Sequence, residues 1–239
     1  MEHFRYCSIG EYESMSKDQK EDYEARKKAF ENSDEQIWKR RVERFKSWNI
    51  PPGFYEAVRK PSWQNKQILE QAGSWLEGGC PFLLLHGSNG TGKTVLACKL
   101  MSHWYEETLT KDIQEYQKKN LYAKGLPSHL VRIPKFVKQI SSYQDYLEEA
   151  RSGSVRELHR DFFKSDLLVI DDLGVKAPTE GYREWLFNLI DQRMDYQKKT
   201  IITTNQNSES MRHAYGEAFL SRILKGLQVE MNGKDFRRG

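Results

Sequence analysis

The stretch that decides the fold is Gly87-Ser88-Asn89-Gly90-Thr91-Gly92-Lys93-Thr94. It fits the phosphate-binding pattern G-x-x-x-x-G-K-[ST] in full, directly after the apolar run 81–86 and directly before a stretch of helical spacing. Glycines let the backbone curl so that its N–H groups face phosphate oxygens, and the following helix presents its positive N-terminal end to the same anion. The stretch therefore predicts a nucleotide phosphate site at the end of a buried strand.

Two carboxylates end the other strongly apolar run, Leu167-Leu168-Val169-Ile170, which Asp171 and Asp172 follow. This places both acids at the carboxyl edge of a buried strand, where α/β sheets bind ligands. Asp171 is predicted to hold Mg²⁺ and Asp172 to polarise the attacking water, while Lys93 reaches the β- and γ-phosphates and the Thr94 hydroxyl joins the metal. The predicted nucleotide-binding set is Gly87, Ser88, Asn89, Gly90, Thr91, Gly92, Lys93, Thr94 and Val95.

Two later residues are candidates for sensing or completing the reaction. Asn205 follows the predicted strand 200–204 at the same sheet edge, where it can orient water opposite the γ-phosphate. Arg222 lies on a short predicted helix, and an arginine given to a neighbouring subunit's γ-phosphate makes hydrolysis depend on assembly. A turn asparagine and a surface arginine remain the alternatives.

The predicted nucleotide is ATP rather than GTP. Asp171-Asp172-Leu173-Gly174 also matches the D-x-x-G of GTPases, but Asn232-Gly233-Lys234-Asp235 has the letters of N-K-x-D in the wrong order.

Strands and helices alternate along the rest of the chain, which predicts an α/β fold with a parallel sheet covered on both faces. Helices are expected over 62–76, 182–196 and 217–224. Two more are expected, one from the glycine-rich stretch to about 109 and one that follows the strand candidate 130–133 and ends at about 150. Strands are expected over 81–86, 130–133, 167–171, 200–204 and 227–231.

The first 48 residues differ from this pattern. Lys17 to Trp48 is dense in mixed charge with aromatics a helical turn or two apart, which predicts one or two amphipathic helices. Ile50-Pro51-Pro52-Gly53 ends any helix. Residues 1–48 are therefore predicted to be a helical arm that binds a partner, and 49–239 the nucleotide-binding domain. A charged hairpin packed on that domain is the alternative.

Composition narrows the class of protein. The chain has 239 residues, 30% of them charged, and a net charge of +4. No apolar run approaches the roughly 18 residues of a membrane span, and no signal-peptide pattern begins the chain, so we expect a cytoplasmic protein without a membrane partner.

The basic charge is concentrated in one segment, since 116–144 contains no acidic residue. Lysine and arginine neutralise phosphates and aromatic rings stack on bases, which predicts contact with single-stranded DNA. The candidates are Lys118, Lys119, Lys124, Arg132, Lys135, Phe136 and Lys138. A solvated basic loop with buried aromatics is the alternative.

In order and spacing, four motifs together resemble the AAA+ ATPases of the DnaC/DnaI helicase-loader group, which includes the IstB transposition ATPases. They are the glycine-rich stretch 87–94, the block 167–174, Thr203-Thr204-Asn205 and Ser221-Arg222-Ile223. The resemblance covers about 49–239 and implies a three-layer P-loop NTPase of the AAA+/ASCE type. The 17 residues that follow Arg222 are too few for the helical C-terminal lid of most AAA+ proteins, and loaders and IstB-type proteins also lack that lid.

The same resemblance implies roles and partners. Lys93 and Thr94 would bind ATP and Mg²⁺. Asp171 would hold the metal and Asp172 would activate the water. Asn205 would act as the sensor, and Arg222 would act as the arginine finger between subunits of a homo-oligomer. Many AAA+ proteins have glutamate where this chain has Asp172, so hydrolysis is expected to be slow.

The implied function is the loading of a hexameric replicative helicase onto single-stranded DNA. An IstB-like transposition ATPase, and an ATP-switched helicase-binding module with little hydrolysis, are the alternatives.

Overall fold

The computed structural model describes residues 12–60, 66–120 and 125–233. The chain divides into two compact units, the first ending at Ser47 and the second beginning at Trp48. The boundary predicted from the proline-rich stretch, between residues 48 and 49, lies one residue from this division.

The first unit is built on helix α1 (Lys17–Ser47). The charges along this helix pair with one another across a single turn, which supports an exposed helix by a few tenths of a kcal/mol per pair; the pairs are Asp22–Arg26, Glu35–Lys39 and Glu43–Lys46. The rings of Trp38 and Phe45 pack edge to face, with centroids 6.0 Å apart. From Lys17 to Ser47 the predicted amphipathic segment is one continuous helix.

The second unit alternates strands and helices. Its elements, after a 3-10 turn at Pro52–Phe54, are α2 (Tyr55–Arg59), α3 (Lys66–Glu77), β1 (Phe82–His86), α4 (Lys93–Lys119), β2 (Pro134–Lys138), α5 (Gln139–Ser152), α6 (Val155–Lys164), β3 (Leu167–Leu173), α7 (Glu180–Asp195), β4 (Lys199–Thr204), α8 (Ser208–Tyr215), α9 (Glu217–Leu224) and β5 (Leu227–Glu230).

The five strands form one parallel sheet in the order β2-β3-β4-β1-β5. Alternate strand residues face opposite sides of the sheet. On one side Phe82, Leu84, Ile170 and Ile202 belong to a core shared with α6, α7, α8 and α9, while α4 packs on β1, β3 and β4. The predicted α/β class with a parallel sheet covered by helices is confirmed.

The strand expected over 130–133 is wrong. Ser128–Leu130 is a 3-10 turn and strand β2 begins at Pro134. β2 is an edge strand, and proline, which has no N–H to give, is tolerated at the first residue of such a strand. Leu130 and Ile133, the ends of the expected strand, are 45% and 63% exposed.

A fully buried arginine joins three of these elements. The guanidinium of Arg193, on α7, donates to the carbonyl oxygens of Phe162 at 2.9 Å, Ser165 at 2.9 Å and Lys199 at 2.8 Å. Burial lowers its pKa to about 9. Because these carbonyls lie at the end of α6 and the start of β4, Arg193 fixes both elements against α7.

Among the described residues, no helix is both long enough and apolar enough to cross a bilayer.

Candidate nucleotide site

The glycine-rich loop starts in close contact with the backbone of Met231, directly after β5. Gly87 follows β1 with φ of +126°, and a Cβ at this position would overlap the carbonyl group of Met231. The N–H of Met231 donates to the carbonyl of His86 at 2.7 Å, which fixes this close approach. Only glycine fits a backbone position that is both left-handed and closed on this side.

The loop then turns into α4. Gly90 and Gly92 have φ of +74° and +90°, and Gly92 caps the helix, so the unpaired N–H groups of the first turn, where Lys93, Thr94 and Val95 lie, face the loop. The Thr91 hydroxyl donates to the Ser88 carbonyl at 3.0 Å and holds the loop closed. Ser88 and Asn89 are exposed.

The Lys93 side chain is 6% exposed and folds back onto the loop. Its ammonium donates to the carbonyl oxygens of Gly87 at 3.0 Å and Ser88 at 2.5 Å. A positive charge is therefore already held inside the loop, and the oxygens of a bound phosphate would take over some of these contacts.

Asp171 and Asp172 share one partner, the hydroxyl of Thr203 on β4. This hydroxyl donates to Asp171 Oδ1 at 2.7 Å and accepts the N–H of Asp172 at 2.9 Å. Thr203 is fully buried. The sequence does not reveal that Thr203 contacts the two acids, because a threonine in a strand is ordinary. Thr203 lies next to Asp171 only because β3 pairs with β4.

The backbone is irregular where the two acids occur. The register between β3 and β4 shifts between Ile170 and Leu173, and Asp172 has φ of +58°. In a regular strand the side chains of consecutive residues would face opposite sides of the sheet. The extra residue interrupts this alternation at the acids, and a left-handed aspartate costs on the order of 1 kcal/mol or more.

The Asp171 carboxyl is 1% exposed, and its Oδ2 atom is buried without a hydrogen-bond partner in the described part of the chain. Burial, helped by the charge of Asp172, raises the pKa of Asp171 to about 6. The hydroxyls of Thr203 and Thr94 and the charge of Lys138 oppose this rise.

These residues fit Mg²⁺. A magnesium ion in a nucleotide site usually takes one or two protein oxygens and completes its shell with phosphates and water. The free Oδ2 of Asp171, with the Thr94 hydroxyl beside this carboxyl, supplies such a pair. No cluster of three or more acidic, histidine or cysteine ligands is found within the described ranges, so a site built by protein ligands alone is not indicated there.

Asn205 follows β4 directly and is exposed at the same edge of the sheet as the two acids. The chain around it is fixed: Thr204 donates through its hydroxyl to the Leu173 carbonyl at 2.6 Å, and Gln206 donates to the Gly174 carbonyl at 3.0 Å. Asn205 is thus an exposed amide held between two restrained neighbours.

The loop after β3 has a second restraint, also missed from the sequence. Gln139, buried at the start of α5, donates to the Lys176 carbonyl at 3.2 Å and accepts the Lys176 N–H at 3.1 Å. Both backbone groups of one loop residue are therefore held by a single side chain.

The structure does not bring Arg222 into this site. Arg222 lies on α9, where it pairs with Asp191 and lies over the ring of Phe187, both on α7. Four residues further on, Gly226 packs against Phe82, the first residue of β1, whereas the glycine-rich loop follows the last.

The basic segment is less uniform than its sequence indicates. Phe136 is 1% exposed, so the prediction that it stacks on a base is wrong, because its ring is part of the core on β2. Arg132 pairs with Asp112 at 2.7 Å and Lys135 pairs with Asp161. The acids come from α4 and α6, outside the acid-free segment, which is why the sequence did not reveal them.

The other basic candidates occupy different places. Lys118 and Lys119 are exposed in the last turn of α4. Lys138 ends β2 opposite Asp171 in the sheet, at the edge that carries the acids. Lys124 lies outside the described residues.

Part of the second unit matches the model of a known protein family. The model of the family described as "IstB-like ATP binding protein" matches residues 129–238. DnaC, the replicative helicase loader of Escherichia coli strain K12, is 31% identical over 86 residues, which cover 35% of each chain. Over these residues the chain is similar to the DnaC/IstB group of AAA+ proteins.

Two further similarities cover most of the chain. The protein YdaV of the same E. coli strain is 26% identical over 198 residues, 77% of this chain and 71% of YdaV. A crystal structure of the DnaC helicase loader superposes with a TM-score of 0.59 at 20% identity, covering 76% of this chain and 100% of that one, which shows the shared fold. The match to the E. coli loader spans about a third of its length.

Proposed function

We propose that the chain is an ATP- and Mg²⁺-dependent helicase loader that places a hexameric replicative helicase on single-stranded DNA. The observation that carries the ATP-dependent part is the buried Asp171 Oδ2, which has no hydrogen-bond partner among the described residues and belongs to a carboxyl beside the Thr94 hydroxyl of the glycine-rich stretch. A buried carboxylate oxygen without a hydrogen bond is costly unless a ligand completes it.

The residues divide the hydrolysis of ATP to ADP and phosphate among them. Lys93 and the N-terminal turn of α4 bind the phosphate oxygens, and Thr94 and Asp171 hold the metal. Bound Mg²⁺ would neutralise charge on the β- and γ-phosphate oxygens. Asp172 accepts the proton of the attacking water and Asn205 orients that water.

Arg222 acts on a neighbouring copy of the chain. β1 rises about 3.3 Å per residue, so its two ends are roughly 13 Å apart. Arg222 lies four residues before Gly226, which packs at the start of β1. The glycine-rich loop of the same chain begins after the other end of β1, at Gly87. An arginine side chain attached near the opposite edge of the sheet is poorly placed for its own nucleotide and is available to another subunit's.

The loading role rests on the group and on the two-unit organisation. We assign helicase binding to the unit that ends at Ser47, and single-stranded DNA binding to the second unit. Lys118 and Lys119 are the first candidates for phosphate contacts, because both are exposed and make no ion pair among the described residues. Lys124 is retained as a candidate, whereas Arg132 and Lys135 already have carboxylate partners.

A second candidate is an IstB-like transposition ATPase, which the match of residues 129–238 to that family favours. It would bind duplex DNA and a transposase. A third, a helicase-binding switch with little hydrolysis, is favoured by the short side chain and left-handed backbone of Asp172.

The experiment compares partners and DNA under one salt condition. Full-length protein and a chain beginning at Trp48 are used as baits with ATP, and each is titrated with single-stranded and duplex DNA. A loader recovers the helicase only with the first unit present and prefers single strands, with a salt dependence that weakens in Lys118→Ala/Lys119→Ala. Recovery of a transposase with a preference for duplex favours the IstB-like function, and absent multiple-turnover hydrolysis with helicase and DNA present favours the switch.

A further inference from the structure

The guanidinium of Arg222 is held by two residues of α7 that lie one helical turn apart. Its carbon atom is 4.4 Å from the centroid of the Phe187 ring, and its Nε donates to Asp191 Oδ1. Residues spaced i and i+4 share one face of a helix. Phe187 therefore sets the plane of the guanidinium and Asp191 sets its rotation within that plane.

A third contact comes from α9 itself. Arg222 Nη1 donates to the Ala218 carbonyl at 3.0 Å, one turn earlier. Nη2 makes no hydrogen bond to any described residue, and the side chain is 27% exposed. Nε and Nη1 are thus engaged, whereas the Nη2 group of this partly exposed side chain keeps its hydrogens for another acceptor.

This arrangement differs from that of an ordinary surface ion pair. A long flexible side chain that binds an anion must first lose its rotamer freedom, and a side chain already held in one geometry avoids that loss. The planar guanidinium presents hydrogen-bond donors in a fixed fork that matches phosphate oxygens, provided that its plane is held.

We propose that Asp191 and Phe187 are positioning residues for Arg222, and that the surface formed by α7 and α9 around them meets the nucleotide of a second copy of this chain. The proposal rests on the proposed action of Arg222 in trans. Asp191 and Phe187 do not touch the phosphate; they hold the Nη2 group of Arg222 in the orientation that the γ-phosphate of the neighbouring subunit requires.

Mixing two inactive full-length variants tests this. The acceptor, Arg222→Ala, keeps its nucleotide site and lacks the arginine. The donor, Asp172→Asn, keeps Arg222 and cannot activate water at its own site. ATP turnover of the mixture then reports the arginine of the donor acting on the acceptor, and the parental donor is expected to stimulate it.

Substitutions placed in the donor alone measure positioning. Asp191→Asn in the donor should lower the stimulated rate about tenfold or more, as expected for a misplaced reacting group. Phe187→Leu should do the same, whereas Phe187→Tyr, which keeps the ring, should restore the rate. Glu184→Gln, an exposed acid on the same helix, is the matched control and should leave the stimulation unchanged.

Asp191→Asn in the acceptor, which has no arginine to position, should have no effect, and a merely structural role would not give this asymmetry. Equal or greater stimulation by the Asp191→Asn donor would overturn the positioning role while Arg222 remained the trans-acting residue. If the parental donor failed to stimulate the acceptor, both the trans action of Arg222 and its positioning would be overturned.

Discussion

The carboxyl of Asp171 makes the fold less stable when it is ionised and no cation is present. A rise of its pKa from 3.8 to about 6 means that the folded protein resists losing this proton. Because the folded-state pKa is the higher one, stability is fully present below about pH 4 and is lost as pH rises to about 6. A rise from 3.8 to about 6 corresponds to a loss on the order of 3 kcal/mol, which levels off above that pH.

The perturbation is Asp171→Asn, which removes the titration and keeps the size of the side chain. In magnesium-free buffer, the free energy of unfolding of the wild type relative to this variant should fall by about 2 kcal/mol between pH 4 and pH 7, because the unfolded carboxyl is already partly ionised at pH 4. Urea unfolding at several pH values measures both proteins, and using their difference cancels the titration of groups that they share. Glu184→Gln, an exposed acid on α7, is the control and should track the wild type.

Ligand binding should then reverse the order of stability. In the proposed site, bound Mg²⁺ would give the ionised Asp171 a partner, so ATP with Mg²⁺ should stabilise the wild type more than Asp171→Asn. A difference between wild type and variant that stays flat from pH 4 to pH 7 would refute the burial argument. A flat difference together with equal stabilisation by ATP and Mg²⁺ would also remove Asp171 from the metal site.

Three further substitutions test other contacts. Thr203→Val removes the hydroxyl that both acids share and should lower ATP turnover by roughly tenfold to a hundredfold, the equivalent of about 1.5–3 kcal/mol. Thr203→Ser keeps the hydroxyl and should retain most of the turnover. Steady-state kinetics measures both variants, and unchanged turnover in Thr203→Val would contradict the shared role. Gly87→Ala should abolish nucleotide binding in a fluorescence titration, because its Cβ overlaps the Met231 carbonyl, whereas Gly53→Ala, which has open space, should bind normally. Arg193→Met leaves several buried carbonyl groups without their donor and should lower the free energy of unfolding by about 3 kcal/mol. Urea unfolding measures this change, and a decrease below about 1 kcal/mol would count against the linking role of Arg193.

The strands that end at the carboxyl edge of the sheet, β1 and β3, were predictable because local pattern and topology agree there. The glycine spacing at 87–94 fixes a turn that few sequences allow, and apolar runs at 82–85 and 167–170 need burial on both faces. The strand predicted over 130–133 begins four residues later, at Pro134. Leu130 and Ile133 are apolar but exposed, and the real strand begins with a proline at the sheet edge.

Contacts between elements distant in sequence were beyond prediction. Thr203 meets the two acids only because β4 lies beside β3, and Gln139 holds Lys176 only because α5 begins next to the loop after β3. The partners of Arg132 and Lys135 likewise come from other helices, so an acid-free segment in the sequence became partly neutralised in the fold.

The most direct test of the account is whether the protein places a replicative helicase on DNA that has no free end. Purified hexameric helicase is mixed with circular single-stranded DNA, ATP, Mg²⁺ and the full-length protein, and helicase retained on the DNA is measured after gel filtration. The account predicts retention with the wild type, little with Lys93→Ala, and little without ATP. Retention that is equal with and without the wild-type protein, or equal for wild type and Lys93→Ala, would contradict it.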